Sequence, residues 1–435
     1  MPNRQQFSSK LATILTMIGV SVGLGNVWRF PYMMGKYGGS AFLLVYLLFT
    51  MLFAIPAVMA EWGLGRETRQ GPIGAFSTVW GSTAGKLIGF MLLFTVLVAN
   101  SYYIVVIANV LYTTFFSLFQ GFGETQEADF KAGLSNGLLQ YVIALSTLVA
   151  ALYVIYRGLN KGIESISKLI VPFFAVVMIY LVISAFSLEG APEEFAAFLK
   201  PDFSAIHAEQ IFAALGQAFF SLGLGGTFLL VYGSYLQPEQ SIPRSAAAIA
   251  LGDTGAALFA SLFIVPSILV FGLDMTAGPT LIFSTLPKLF AVMPAGRILG
   301  SGFLLALSMV AFLSSIAALE VLVGGLGDAR QLTLNRPKII IGIGALEAIL
   351  MLPSAFKPDL IAILDLVFGS GMQIFGSALT VIGFAWGLGR LKALQQIFKS
   401  PHSWEGTLTF LWIRWVLPIA LLSILISYIY SSVVE

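Results

Sequence analysis

Eleven apolar runs dominate this chain, at 11–35, 40–63, 87–119, 137–156, 166–187, 208–236, 243–272, 297–326, 338–353, 359–389 and 407–431. Crossing a bilayer takes roughly 20 apolar residues per helix; only the run at 338–353 is short. Backbone polar groups in lipid must be paired internally, which leaves helices or a closed barrel. The runs lack strict alternation, so the sequence predicts an all-α membrane protein of about 11 transmembrane helices. With 58% apolar and 10% charged residues, a water-soluble domain could not hide so much apolar surface.

The chain has no cysteine, which excludes disulfides, thiolate metal sites and cysteine nucleophiles. His207 and His402 fall at loop edges and read as surface residues. A net charge of +2 gives no reason to expect a nucleic-acid partner. The first run reads as a retained span rather than a signal peptide. Lys and Arg crowd one side of the spans, including Arg66, Arg69, Arg157, Arg244, Arg336 and Lys392. That bias puts the N-terminus in the cytoplasm and, with an odd number of spans, the C-terminus outside. The location expected is the inner (cell) membrane.

Two spans carry residues that spoil helices. The first contains "GVSVGLGN" and the sixth "SLGLGG", sharing small–x–Gly–Leu–Gly–small. They open two blocks of five spans, and an odd count inverts the second block. The expected layout is a cytoplasmic segment 1–10, a first repeat 11–187, a second repeat 188–390 with a re-entrant loop at 271–296, and a linker plus last span at 391–435. Interrupted spans at matching positions of inverted halves point to a midplane binding site. Freed carbonyls there can ligate a cation, and freed N–H groups at a half-helix start can hold an anion. One site thus suits a zwitterion with Na⁺. Asp253 stands alone in "AIALGDTGAALFASLF", and a charge inside a span calls for a functional partner.

Beyond these features, "GLGNVWRFP" (23–31), "GGSAF" (38–42), "EWGLGR" (61–66), "YY" (102–103), "RGLNKGIE" (157–164), "GQAFFSLGLG" (216–225) and "SSIAALE" (314–320) run in order along the chain. They resemble the neurotransmitter:sodium symporters with their leucine-transporter fold. The resemblance implies a non-enzymatic, sodium-coupled importer of amino acids in the lipid bilayer, a monomer or weak dimer; a sensor that binds amino acids without transporting them is the alternative. It implies that the substrate carboxylate meets the amides of Leu24 and Gly25, the Tyr103 hydroxyl and a sodium ion. The substrate ammonium would meet carbonyls of the first break, Ser21 included, and of Phe220, Ser221 and Gly223. A first sodium would use Ser21, Asn26, Ser221 and Asp253; a second would use Gly19, Val22, Val310 and Ser314.

The resemblance also implies four finer properties. Arg29 and Asp365, bridged by Gln217 or water, would form an outer gate; Arg4 and Asp328 over Tyr235, with Phe7 as an apolar plug, would form an inner one. Chloride would not be needed, because Asp253 and Ala257 replace an Asn and a Ser among the anion's ligands. The pocket of Ala99, Tyr103, Phe220, Gly223, Gly226, Ser314 and Ala318 suits a large apolar or aromatic side chain, with Gly226 and Ala318 leaving volume for a ring. The second sodium site is weakened, because counting back from Glu320 puts Leu313 where relatives carry a ligand; a one-residue shift to Ser314 and Ser315 would need a bulge.

Overall fold

In the computed structural model, residues 5–201, 203, 206–275, 278–327, 335–398 and 403–434 are described. Every regular element among them is a helix. Those that organise the molecule are α1 (Lys10–Ser21), α2 (Gly25–Lys36), α3 (Ser40–Thr68), α4 (Ser82–Phe119), α5 (Gly137–Tyr156), α6 (Leu159–Phe186), α7 (Ala208–Ser221), α8 (Phe228–Gly233), α9 (Ile242–Val270), α10 (Gly296–Gly327), α11 (Arg336–Phe356), α12 (Leu360–Gly387) and α13 (Trp404–Ser427). Arg4, Asp328 and His402 lie outside the described residues.

Nine of these helices are long and apolar enough to span a membrane, and α1 with α2, bent by 62° at their junction, makes a tenth. The expected sixth span, at 208–236, is cut so deeply that its pieces have only 14 and 6 residues. Neither piece meets a spanning length on its own. The short run at 338–353 becomes a 21-residue helix. Its start extends past the apolar core because the Asn335 side chain caps the Lys338 amide at 3.3 Å and Pro337 sits in the first turn, where its missing N–H costs nothing.

Burial sorts the helices. The spanning window of α10 is 72% buried and those of α4 and α9 are 61%, whereas α6 and α12 stand at 28% and 22%. Thus α4, α9 and α10 form the centre against which the broken helices lie. Outer faces carry Leu44, Met51, Val176, Ile341, Leu366 and Trp415 exposed, a belt that water would penalise and lipid accepts. Segments 271–275 and 278–296 fold back onto the protein. Phe290 stacks on Phe263 of α9 and meets Phe303 of α10 at a tilt, and Met275 packs against Gly35 of α2.

Candidate functional site at the paired helix breaks

Val22 turns extended after α1, with ψ 120°, and the Gly23 amide donates to Asn26 Oδ1 at 3.1 Å. The side chain of Asn26 thereby stitches the break it sits beside. The first amides of α2, starting from Leu24 and Gly25, have no acceptor within their own helix. Tyr103 of α4 points its hydroxyl at Gly23 and Leu24.

In the second break, Gly223 and Gly226 adopt φ of 65° and 72°, a region open to glycine at little cost. The amides of Gly225 and Gly226 both donate to Glu61 Oε1 of α3, at 3.1 and 3.0 Å. Glu61 is fully buried, so α3 holds the second break open with a carboxylate cap. The smallness of Gly226 is used by α12: a Cβ there would meet Thr380 Oγ1 at 2.3 Å and the Gly376 carbonyl at 2.6 Å. The room expected at Gly226 is therefore filled by protein, and open space lies at Gly223 instead, where a Cβ would meet no atom within 4 Å. Ala318 is buried on α10.

The two breaks face each other. A Cβ on Gly25 would sit 2.6 Å from the Phe220 ring. Asn26 Nδ2 donates to Ser221 Oγ at 2.9 Å and to Asp253 Oδ1 at 2.7 Å, and Ser221 Oγ donates to Asp253 Oδ2 at 2.5 Å. All three side chains are 3% exposed or less. The Ser21 hydroxyl is buried without a hydrogen-bond partner. The hydroxyls of Ser21 and Ser221 and the Asp253 carboxylate are oxygen ligands that suit a hard cation better than a transition metal, while Asn26 turns its Nδ2 toward that carboxylate here.

A second convergence lies between α1 and α10. Ser314 Oγ is 3.3 Å from the carbonyl oxygens of Val20 and Val22 and 3.5 Å from that of Val310. Leu313 packs a methyl against Gly19, 2.8 Å from where a Cβ would stand. Ser315 turns away and donates to Asn100 Oδ1 at 2.9 Å.

On the side expected to face outward, Arg29 stacks on the Phe220 ring at 4.3 Å from its centroid, and Asp365 accepts from the Tyr102 hydroxyl at 2.9 Å. Both amide atoms of Gln217 are buried without a partner, so Gln217 itself does not bridge the two in this arrangement. On the side expected to face inward, Phe7 is 1% exposed, stacks on Tyr232 and meets Tyr235 edge-on. The Tyr235 hydroxyl donates to Glu320 at 2.7 Å, and Arg336 pairs with the same carboxylate at 2.6 Å. Sequence reasoning missed Asn100 and Glu347 and gave Tyr102 of the "YY" pair no role; Glu347, a lone acid in "IGIGALEAIL", carried the same signal as Asp253.

Two discontinuous helices meeting around a buried carboxylate define a membrane carrier. The sequence profile of the "Sodium:neurotransmitter symporter family" matches residues 4–128 and 125–434. An "Uncharacterized sodium-dependent transporter" of Haemophilus influenzae is 30% identical over 98% of both chains. YhdH of Bacillus subtilis, with the same description, is 34% identical over 75% of this chain and 73% of its own. The human "Sodium- and chloride-dependent creatine transporter 1" is 28% identical over 75% of this chain and 60% of its own. The crystal structure of MhsT in complex with L-phenylalanine superposes with a TM-score of 0.87 at 32% identity, over 98% of this chain and 100% of that one. The chain belongs to the sodium:neurotransmitter symporter family: it is a multi-pass, sodium-dependent membrane transporter and not an enzyme.

Proposed function

We propose that this transporter imports amino acids with large apolar or aromatic side chains, coupled to sodium, by alternating access in the inner membrane with its N-terminus in the cytoplasm. The observation that carries the reading is the Asn26–Ser221–Asp253 cluster at the meeting of the two breaks. A cation held there stands beside the amides of Leu24 and Gly25, where a substrate carboxylate gains both the ion and the helix start. Open space at Gly223, together with the L-phenylalanine held by the similar protein MhsT, supports a bulky side chain. Ala99, Tyr103, Phe220, Ser314 and Ala318 bring no charge to the pocket, so charged side chains would go unpaired there.

Residues Arg29 and Asp365 serve as the outer gate in this reading, with Tyr102 steadying Asp365. Tyr235 and Phe7 close the inner side. Chloride is not required, because Asp253 already supplies the negative charge and Ala257, fully buried, offers the anion no hydroxyl. One sodium ion is coupled rather than two. Leu313 against Gly19 and the engagement of Ser315 by Asn100 both weigh against a full second set. Each charge entering down ~100 mV supplies ~2.3 kcal/mol, so one ion instead of two lowers the attainable accumulation by about fiftyfold.

A competition panel of twenty amino acids against sodium-dependent L-phenylalanine binding tests the reading. Tryptophan, phenylalanine, tyrosine, methionine and leucine should compete best. Stronger competition from glycine or alanine would contradict it.

A further inference from the structure

Glu347 stands in the middle of α11 and is 0% exposed. Its Oε1 accepts from Asn100 Nδ2 of α4 at 2.9 Å, and Asn100 Oδ1 in turn accepts from Ser315 Oγ of α10 at 2.9 Å. Its Oε2 is buried with no hydrogen-bond partner. It makes no ion pair among the described residues. A charged carboxylate with one hydrogen bond in an apolar span is costly, and a proton on the free oxygen removes that cost.

The titratable groups on the helices around it are engaged elsewhere or lie at helix ends. On α10, Glu320 holds Tyr235 and Arg336, the latter at the start of α11 and eleven residues from Glu347, and Arg297 binds the carbonyls of Leu118 and Phe119. On α4, Tyr102 serves Asp365, Tyr103 faces the first break, Tyr112 points at the Phe130 carbonyl and Lys86 lies in the second turn. On α5, Tyr153 and Tyr156 are exposed in the last turn, while Tyr141 donates to the Ala348 carbonyl at 3.1 Å, next to Glu347. Lys338 lies in the first turn of α11. Among the described residues no cation neutralises Glu347.

The chain Glu347–Asn100–Ser315 ends one residue from Ser314, which touches the Val20 and Val22 carbonyls of the first break. We propose that Glu347 is a proton-binding site of the transport cycle, taking one proton from outside and releasing it inside in place of a second sodium ion. The inference rests on the reading of the chain as a carrier with one coupled sodium. On protonation an O–H bond forms at the carboxyl group and no heavy-atom bond breaks. A turn of the carboxyl group then brings the protonated oxygen to Asn100, the amide turns over, the acid donates to Asn100 Oδ1 and Asn100 Nδ2 donates to Ser315 Oγ. The freed Ser315 proton turns to a carbonyl of α10, one position from the contact that joins α10 to the broken helix.

Infrared spectroscopy of the full-length protein in proteoliposomes, titrated with pH, reads the site without any substrate. The wild type should show a buried protonated-carboxyl band that fades as pH rises and is absent from E347Q. Identical spectra of the two would overturn the proposal. In the same vesicles, sodium-driven uptake of tritiated L-phenylalanine should acidify the lumen for the wild type and not for E347Q. Affinity for L-phenylalanine should change by about tenfold per pH unit where the acid titrates and be flat in E347Q. A merely structural Glu347 predicts lost thermal stability with an unchanged pH profile, and that result would overturn the proposal. If E347Q does not fold, S315A retains the acid and cuts the link: the infrared band should persist while the pH dependence of affinity falls. An S315A profile equal to the wild type would count against the proposal. Failure of L-phenylalanine to stabilise the wild type would sink the substrate reading alone, since the infrared titration still decides whether Glu347 binds a proton.

Discussion

Replacing Ser221 with alanine probes the junction of the two breaks most sharply. Its hydroxyl donates to Asp253 Oδ2 at 2.5 Å and accepts from Asn26 Nδ2 at 2.9 Å. Both partners are essentially excluded from solvent, so water screens little of the loss. A hydrogen bond to a charged group is worth ~1.5–3 kcal/mol. In the sodium-free protein the carboxylate can take a water in place of the hydroxyl. With the ion bound, the site is closed and the oxygen is lost twice over, as donor to Asp253 and as ligand. Most of the loss therefore falls on the ion-bound state, which corresponds to roughly ten- to hundredfold weaker sodium binding. Sodium titrations of the melting temperature, with and without L-phenylalanine, measure it. A folded S221A protein whose half-saturating sodium lies within about twofold of the wild type would refute the reasoning.

Glu61→Ala leaves the Gly225 and Gly226 amides without their acceptor, at a cost of ~1–3 kcal/mol each; thermal denaturation should show a large loss, and Glu61→Gln, which keeps an acceptor oxygen, a much smaller one. Leu313→Thr puts a hydroxyl beside Gly19 and Ser314, and the Hill coefficient of sodium-dependent uptake should rise from near one toward two, an unchanged coefficient counting against the account of the weakened site. Replacing chloride with gluconate should leave initial uptake rates unchanged, and a strict chloride requirement would contradict the role given to Asp253.

The class of fold was legible because lipid enforces it: apolar length names the spans, and glycine pairs name the breaks. Asp253 could be singled out because an isolated charge in an apolar run has few innocent explanations. What the sequence hid was pairwise geometry. Nothing in the string says that Glu61 caps two amides some 165 residues away, or that Gly226 is small for the sake of α12 rather than of a ligand. The depth of the second break was hidden for the same reason, since hydropathy runs straight through 208–236 while the backbone stops at Ser221 and resumes at Phe228. Glu347 shared the signal of Asp253, but its partners Asn100 and Ser315 lie on other spans and only packing joins them.

The central claim is that paired helix breaks carry an amino acid and sodium across the membrane together. Counterflow in proteoliposomes tests it most directly: vesicles loaded with unlabelled L-phenylalanine, diluted into tritiated L-phenylalanine with sodium or with potassium. The account predicts transient accumulation of label in sodium, none in potassium, and none for Asp253→Ala. Sodium-dependent binding without any counterflow would contradict transport and make the protein a sensor, and equal counterflow in potassium would contradict the coupling.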